Sequence, residues 1–318
     1  MGDGFSRQEV RFNSGGSALA AWLYLPTGLA AGERRPAIVM AHGWSAVKEM
    51  HLDDFGARFA RDGFAVVVFD YRNFGASGGA PRQHIEPALQ LEDYLNAITW
   101  ARRHERVDPA RIGIWGSSFS GAHVLHLGAY DRRVRAVVAQ VPLINGLATF
   151  RRLVRNDRWP ATHALFAADR EQEAENGTMA YLPVVAEEGQ PSALPTPESF
   201  AWMTRVGQAR APAWRNTQTL RSLELALAYD PGSSIHLVSP TPLLMIVAAA
   251  DTLTPTDLAV EAYGRAREPK ALAWIQGGHF DAYDTEFERS SALASDWFRQ
   301  HLLDGPLRPD IPCPAAKP

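Results

Sequence analysis

The sequence predicts an α/β fold: a mostly parallel, doubly wound sheet of about eight strands with a helical insertion. Two observations carry that expectation. Short apolar runs alternate with helical patterns along most of the chain, and several of them are continuously hydrophobic, as strands covered on both faces are. The alternation also breaks down between residues 142 and 236 and then resumes.

Taken in order, residues 9–13 and 18–24 read as two antiparallel leading strands turned at Gly15-Gly16. Residues 38–41 form a short apolar strand, followed by a helix near 53–62 that Gly63 closes. Phe64-Ala65-Val66-Val67-Val68-Phe69 is a strand buried on both faces. A long helix over 87–104 places Leu89, Leu91, Leu95 and Ile98 on an apolar face at helical spacing. Strands at 112–115 and 134–141 flank a second long helix, and two more follow the insertion at 241–250 and 270–275. Residues 1–142 and 237–304 are therefore expected to form the core. Residues 143–236, rich in Arg, Ala, Pro and Trp, are expected to form a helical cap, and 305–318 an extended or disordered proline-rich tail.

Composition narrows the function. The chain has 318 residues, enough for a large core, with 32 basic against 35 acidic residues and a formal charge of −3. No basic stripe interleaved with aromatics is present, so nucleic acid is not an expected partner. The single cysteine, Cys313, excludes an internal disulfide framework. The polar first ten residues argue against a secretory signal, and no apolar run is long enough for a bilayer. A cytoplasmic protein without membrane contact is the expectation. Metal-ligand spacings such as CxxC or HExxH are missing, so neither metal nor cofactor is expected. The sequence leaves room for a homodimer.

The chemistry centres on Ile112-Gly113-Ile114-Trp115-Gly116-Ser117-Ser118-Phe119-Ser120-Gly121. An apolar strand stops at a glycine, turns through serine and opens a helix, which lifts a hydroxyl above the sheet edge toward a helix N-terminus. Small residues are needed two before and two after the serine, where strand and helix nearly touch. Around Ser118 these places hold Gly116 and Ser120, with glycine one later at Gly121. Ser117 has Trp115 where a small residue is required, whereas Ser120 has small neighbours and stays a competitor. The structural alternative is a serine-rich helix cap.

A serine nucleophile needs a base, and the base an orienting carboxylate. Asp251 follows the strand at 241–250, and His279 sits in Gly277-Gly278-His279-Phe280 after the strand at 270–275. Both lie past strand C-termini, where reactive groups gather in open parallel sheets. Asp257 competes with Asp251, but Thr254-Pro255-Thr256-Asp257 reads as a helix start capped by Thr254, which gives Asp257 a structural task. Asp281 is a second competitor. Among the other histidines, His104 and His301 read as solvated, and His123 and His126 as packed behind the turn. The amides of Trp44, after the strand ending in Ala41-His42-Gly43, and of Phe119 are the candidate oxyanion donors. His42, Trp159, His163 and Trp202 are candidates for lining a substrate pocket. Asp70-Tyr71-Arg72 reads as a polar strand-end loop rather than a catalytic cluster.

In this order, His42-Gly43-Trp44-Ser45, Phe69-Asp70-Tyr71-Arg72-Asn73-Phe74-Gly75, the Ser118 turn, Asp251-Thr252-Leu253-Thr254-Pro255 and Gly278-His279-Phe280 resemble the α/β-hydrolase superfamily. The wording is most similar to its dienelactone-hydrolase-like branch, which includes polyketide transferases. The resemblance covers residues 8–143 and 236–304. It implies the α/β-hydrolase fold, with Ser118, His279 and Asp251 hydrolysing a small-molecule ester, lactone or thioester, or passing the acyl group to an alcohol or amine. A prolyl peptidase is not the expectation, since no β-propeller precedes the core, and a dehalogenase would carry aspartate at 118. A binding protein with a degenerate site is the non-enzymatic alternative.

Overall fold

The computed structural model describes residues 4–304. The expected tail and Cys313 lie outside the described residues. Strands β1 (Phe5–Ser14) and β2 (Ser17–Pro26) form a hairpin through Gly15 and Gly16, both at positive φ. β3 (Arg35–Ala41), α1 (Leu52–Arg61) and β4 (Ala65–Phe69) follow, then α2 (Pro87–Arg103), β5 (Val107–Ser117), α3 (Phe119–Tyr130) and β6 (Val134–Gln140).

Between β6 and the next core strand lie α4 (Gly146–Leu153), α5 (Trp159–Asn176), the two-residue strand β7 (Tyr181–Leu182), α6 (Pro197–Arg210), its antiparallel partner β8 (Gln218–Thr219) and α7 (Leu220–Leu227). Their starts have local causes. Asn145 accepts from the Ala148 amide at the head of α4, and Thr196 accepts from the Ser199 amide at the head of α6, with Pro197 in its first turn. The core resumes with β9 (Leu243–Ala248), α8 (Thr256–Arg265), β10 (Lys270–Ile275) and α9 (Phe287–Phe298).

The eight core strands lie in the order β1-β2-β4-β3-β5-β6-β9-β10. β2 is antiparallel to both neighbours, and every pairing from β4 to β10 is parallel. β4 and β9 are buried at every residue, which explains their unbroken apolar runs. α1 covers the sheet beside α9, burying Leu52, Phe55 and Phe59, while α2 packs with α3. β5 is longer than its apolar stretch suggested: Val107 already lies opposite Arg35, and after a register shift the ladder resumes with Ile112 opposite Ala37. The parallel strands therefore deliver the loops after β3, β5, β6, β9 and β10 to one rim. Among the described residues, no helix is long and apolar enough to cross a membrane.

A buried polar pair ties α2 to α3. His123 is fully buried, with Nε2 3.0 Å from Gln90 Oε1 and Nδ1 2.9 Å from the Tyr229 hydroxyl. Burial drives its pKa from the ordinary 6.5 down to about 3, and burial also lowers those of His42 and His84. Between those two values the unfolded chain binds a proton at His123 that the folded chain refuses. The associated stability is thus intact above about pH 6.5 and is lost as pH falls toward 3, by at most about 1.4 kcal/mol per pH unit for this residue. Urea unfolding at pH 7.5 and at pH 5 is expected to show a lower midpoint at pH 5, with the difference reduced in His123→Gln. Equal midpoints in the wild type would contradict the assignment.

Candidate active site

Ser118 is the first residue beyond β5 and holds φ 60°, ψ −119°, a conformation that non-glycine residues rarely adopt. Such a backbone costs on the order of 1–3 kcal/mol and persists only where its surroundings enforce it. Here the Ser118 amide donates to the Gln140 carbonyl (2.9 Å), and its carbonyl accepts from the Leu143 amide (3.0 Å) and the Ala122 amide (3.2 Å). The strand returns so close to the helix that a Cβ at Gly116 would lie 2.2 Å from the Ser120 carbonyl oxygen, and one at Gly121 2.9 Å from Pro142 Cα. Gly116 and Gly121 are therefore the two positions where this turn requires glycine.

The Ser118 hydroxyl lies 3.0 Å from His279 Nε2, and His279 Nδ1 lies 2.8 Å from Asp251 Oδ2. An Nδ1 proton donated to the carboxylate leaves the Nε2 lone pair facing the serine. Asp251 is anchored in turn: Oδ1 accepts from the amides of Leu253 (2.9 Å) and Thr254 (2.8 Å). All three side chains are at least nine-tenths buried.

The competing residues are occupied elsewhere. Ser117 Oγ accepts from the Tyr283 hydroxyl (2.5 Å), and Ser120 Oγ pairs with the Tyr71 hydroxyl (3.0 Å). Burial pushes the Tyr283 and Tyr71 phenols well above their usual range, so both remain protonated. Asp257 is exposed on α8 and bound by the Arg152 guanidinium. Asp281 shapes the histidine loop by accepting from the Gly278 amide at 2.7 Å. Asp70 accepts from the Lys48 amide and Nζ, both at 2.8 Å, and Arg72 is paired with Asp93, so that loop is a structural ion network.

Thr254 differs from the sequence expectation. α8 begins at Thr256, and Thr254 does not cap it. Its hydroxyl instead lies 2.9 Å from Asp251 Oδ2, 2.9 Å from the Val141 carbonyl and 3.1 Å from His279 Nδ1. The Thr-Pro pair reads as a helix start in sequence, and nothing local signals that the side chain turns back toward the carboxylate.

The loop after β3 abuts the serine: a Cβ at Gly43 would stand 3.0 Å from Ser118 Cβ and 3.5 Å from its Oγ. Trp44, the next residue, lines the same cavity as Ser118. The Phe119 amide is in the first turn of α3, where N–H groups have no intrahelical acceptor.

Above these groups opens a cavity of about 680 Å³, counting its mouth. Ser118 and His279 reach it through a wall of Trp44, Met50, Leu143, Phe150, Leu153, Leu194, Trp202, Met203, Leu253 and Phe280. Trp202 comes from α6 and stacks on Phe280 with ring centroids 4.6 Å apart. Helix α6 is also tied to the histidine loop by Glu198, whose Oε1 accepts from the Phe280 amide at 3.1 Å.

Three residues expected at the pocket lie elsewhere. His42 is buried beneath the loop, where Nδ1 approaches the Gly43 carbonyl (3.0 Å) and Nε2 accepts from the Tyr71 amide (3.4 Å), so it supports backbone and cannot meet a ligand. Trp159 borders a separate apolar gap between α4, α5 and α7, and His163 lies exposed on α5 against the Trp159 ring. Both sit on α5, and Phe150 and Leu153 stand between the gap beside Trp159 and the serine's cavity, lining both. The fourth, Trp202, lines the cavity, but sequence reasoning missed the rest of its apolar wall, Phe150 and Leu153 of α4 with Leu194 and Met203, because an irregular insertion offers no period from which to read its inward face.

Residues 15–281 match the family described as X-Pro dipeptidyl-peptidase (S15 family). Thiohydrolase aneE of Aspergillus aculeatus is 33% identical over 76% of this chain and 77% of its own length. Quorum-quenching protein AidA of Acinetobacter baumannii is 33% identical over 88% of this chain and 90% of its own. Polyketide transferase grgF of a Penicillium species is 29% identical over 93% of this chain and 97% of its own. The crystal structure of that α/β hydrolase, GrgF, superposes with a TM-score of 0.81, covering 94% of this chain and 99% of that one at 27% identity.

Proposed function

The chain belongs to the α/β-hydrolase superfamily, within the S15 peptidase family, and on that premise we propose that it is a serine hydrolase acting on a carboxylic ester, lactone or thioester with an apolar acyl group. The observation that carries this reading is the unbroken relay from Ser118 Oγ through His279 to Asp251, at 3.0 and 2.8 Å, set in the floor of an apolar cavity. His279 Nε2 takes the hydroxyl proton as Ser118 Oγ bonds to the substrate carbonyl carbon. The oxyanion is held by the amides of Trp44 and Phe119, and Asp251 balances the imidazolium. The imidazolium then returns its proton to the departing alkoxide or thiolate. Water, deprotonated by His279, releases the acid from the acyl-serine. Residues 143–236 act as a cap that excludes bulk water and shapes the acyl site.

Acyl transfer is the second reading, and the likeness to a polyketide transferase favours it. The same residues serve, with an alcohol or amine in place of water. A fluorophosphonate probe is expected to label the intact protein once, at Ser118, as read by fragmentation of the peptide that also contains Ser117 and Ser120. Labelling at another residue, or none, would overturn the assignment. A thioester time course with and without alcohol or amine acceptors then separates the two readings, since transfer gives an acylated acceptor in excess of free acid.

A further inference from the structure

Within itself, the loop bearing the Trp44 amide has the long turn bond from the Ala46 amide to the Gly43 carbonyl, at 3.4 Å. Ser45 has φ +48°, a left-handed conformation that a serine adopts only when restrained. The insertion adds three hydrogen bonds to Trp44 and Ser45. Gln218 of β8 places Oε1 2.5 Å from the Trp44 indole Nε1 and 2.8 Å from Ser45 Oγ. The Trp214 indole donates to the Ser45 carbonyl at 3.0 Å.

Both clamping residues are themselves fixed. The Thr219 amide, next to Gln218, donates to the Gln83 carbonyl (3.1 Å), and Gln218 pairs with Leu182 across β7 and β8. The Trp214 ring lies so close to α6 that a Cβ on Gly207 would stand 2.3 Å from it. Gln218 is fully buried, and among the described residues its Nε2 has no hydrogen-bond partner. A buried amide with an unmatched N–H carries a desolvation cost, so the residue is held there by what its oxygen does.

We infer that Gln218, assisted by Trp214, is a positioning residue for acyl transfer: it sets the Trp44–Ser45 backbone so that the Trp44 amide meets the carbonyl oxygen as it becomes an anion. The inference rests on the proposed serine mechanism. It makes the oxyanion site a joint product of core and insertion. A donor that drifts loses most of its benefit in the transition state and little in the ground state.

The test uses the full-length protein, with wild-type Ser118 labelling established first; absence of that labelling would count against the serine mechanism, not against Gln218. Gln218→Leu removes the shared acceptor at similar volume, and Trp214→Phe keeps an aromatic ring against α6 while removing the indole N–H together with the rest of its five-membered ring. Active sites are titrated to completion with the fluorophosphonate, so that kcat is expressed per competent enzyme. Gln218→Leu is expected to lower kcat roughly 10- to 100-fold, with KM changed less than about threefold. Affinity for a boronic acid that forms a tetrahedral anion on serine should fall by a similar factor. Trp214→Phe should shift the same quantities less. Wild-type kcat per titrated site in both variants would overturn the inference, as would a rise in KM alone. If Gln218→Leu does not fold, Trp214→Phe decides by the same criteria.

Discussion

Ser118→Ala is expected to lower turnover of an ester or thioester by at least about 10⁴-fold, while leaving the melting temperature close to that of the wild type. The size follows from what the hydroxyl does in the relay. Without it His279 has no nucleophile to activate, and neither neighbouring serine substitutes. Ser117 is engaged by Tyr283, and Ser120 is buried against Tyr71. The residual rate is what the oxyanion donors and substrate positioning supply with water as attacker. Stability should change little, because the Ser118 side chain bonds only the histidine; the turn is held by its backbone bonds to Gln140, Leu143 and Ala122. Steady-state kinetics and a thermal melt on the same preparation make the check. Near-normal activity in the variant would move the nucleophile elsewhere.

Gly116→Ala is expected to destabilise the fold by roughly 3 kcal/mol or more. A new Cβ would meet the Ser120 carbonyl oxygen at 2.2 Å and its carbonyl carbon at 2.5 Å, a clash with backbone that no side-chain movement relieves. Relief requires β5 and α3 to separate, which moves Ser118 away from His279. Stability and activity should therefore fall together, in contrast to Ser118→Ala, where only activity falls. Denaturant unfolding with parallel kinetics distinguishes the two patterns. A fully stable, fully active Gly116→Ala would show that the turn is looser than described.

Much of the site was legible in the sequence because its chemistry sits at strand ends, and those ends are marked by where apolar runs stop. Ser118, Asp251 and His279 each follow such a run, and the structure brings their side chains within hydrogen-bonding distance. The sheet was legible for the same reason: β4 and β9 are buried on both faces and read as uninterrupted hydrophobic stretches. What could not be read depends on contacts between distant segments. Thr254 reads locally as a helix cap, yet in the fold its hydroxyl lies between Val141 and Asp251. Gln218 meets Trp44 across 174 positions, which no local pattern encodes. Pocket residues were misplaced because aromatic residues in an amphipathic insertion pack on either of its sides. Trp202 faces the serine's cavity, whereas Trp159 faces a neighbouring gap.

Helix α6 both roofs the cavity with Trp202 and grips the histidine loop through Glu198 and the stack on Phe280. Under the proposed mechanism, a guest too bulky for the space must push this roof outward, and doing so drags on the segment carrying the proton acceptor. Oversized guests are thus penalised twice, once in how tightly they are held and again in how fast they react. Discrimination by size is then built into the reaction step itself as well as into the fit.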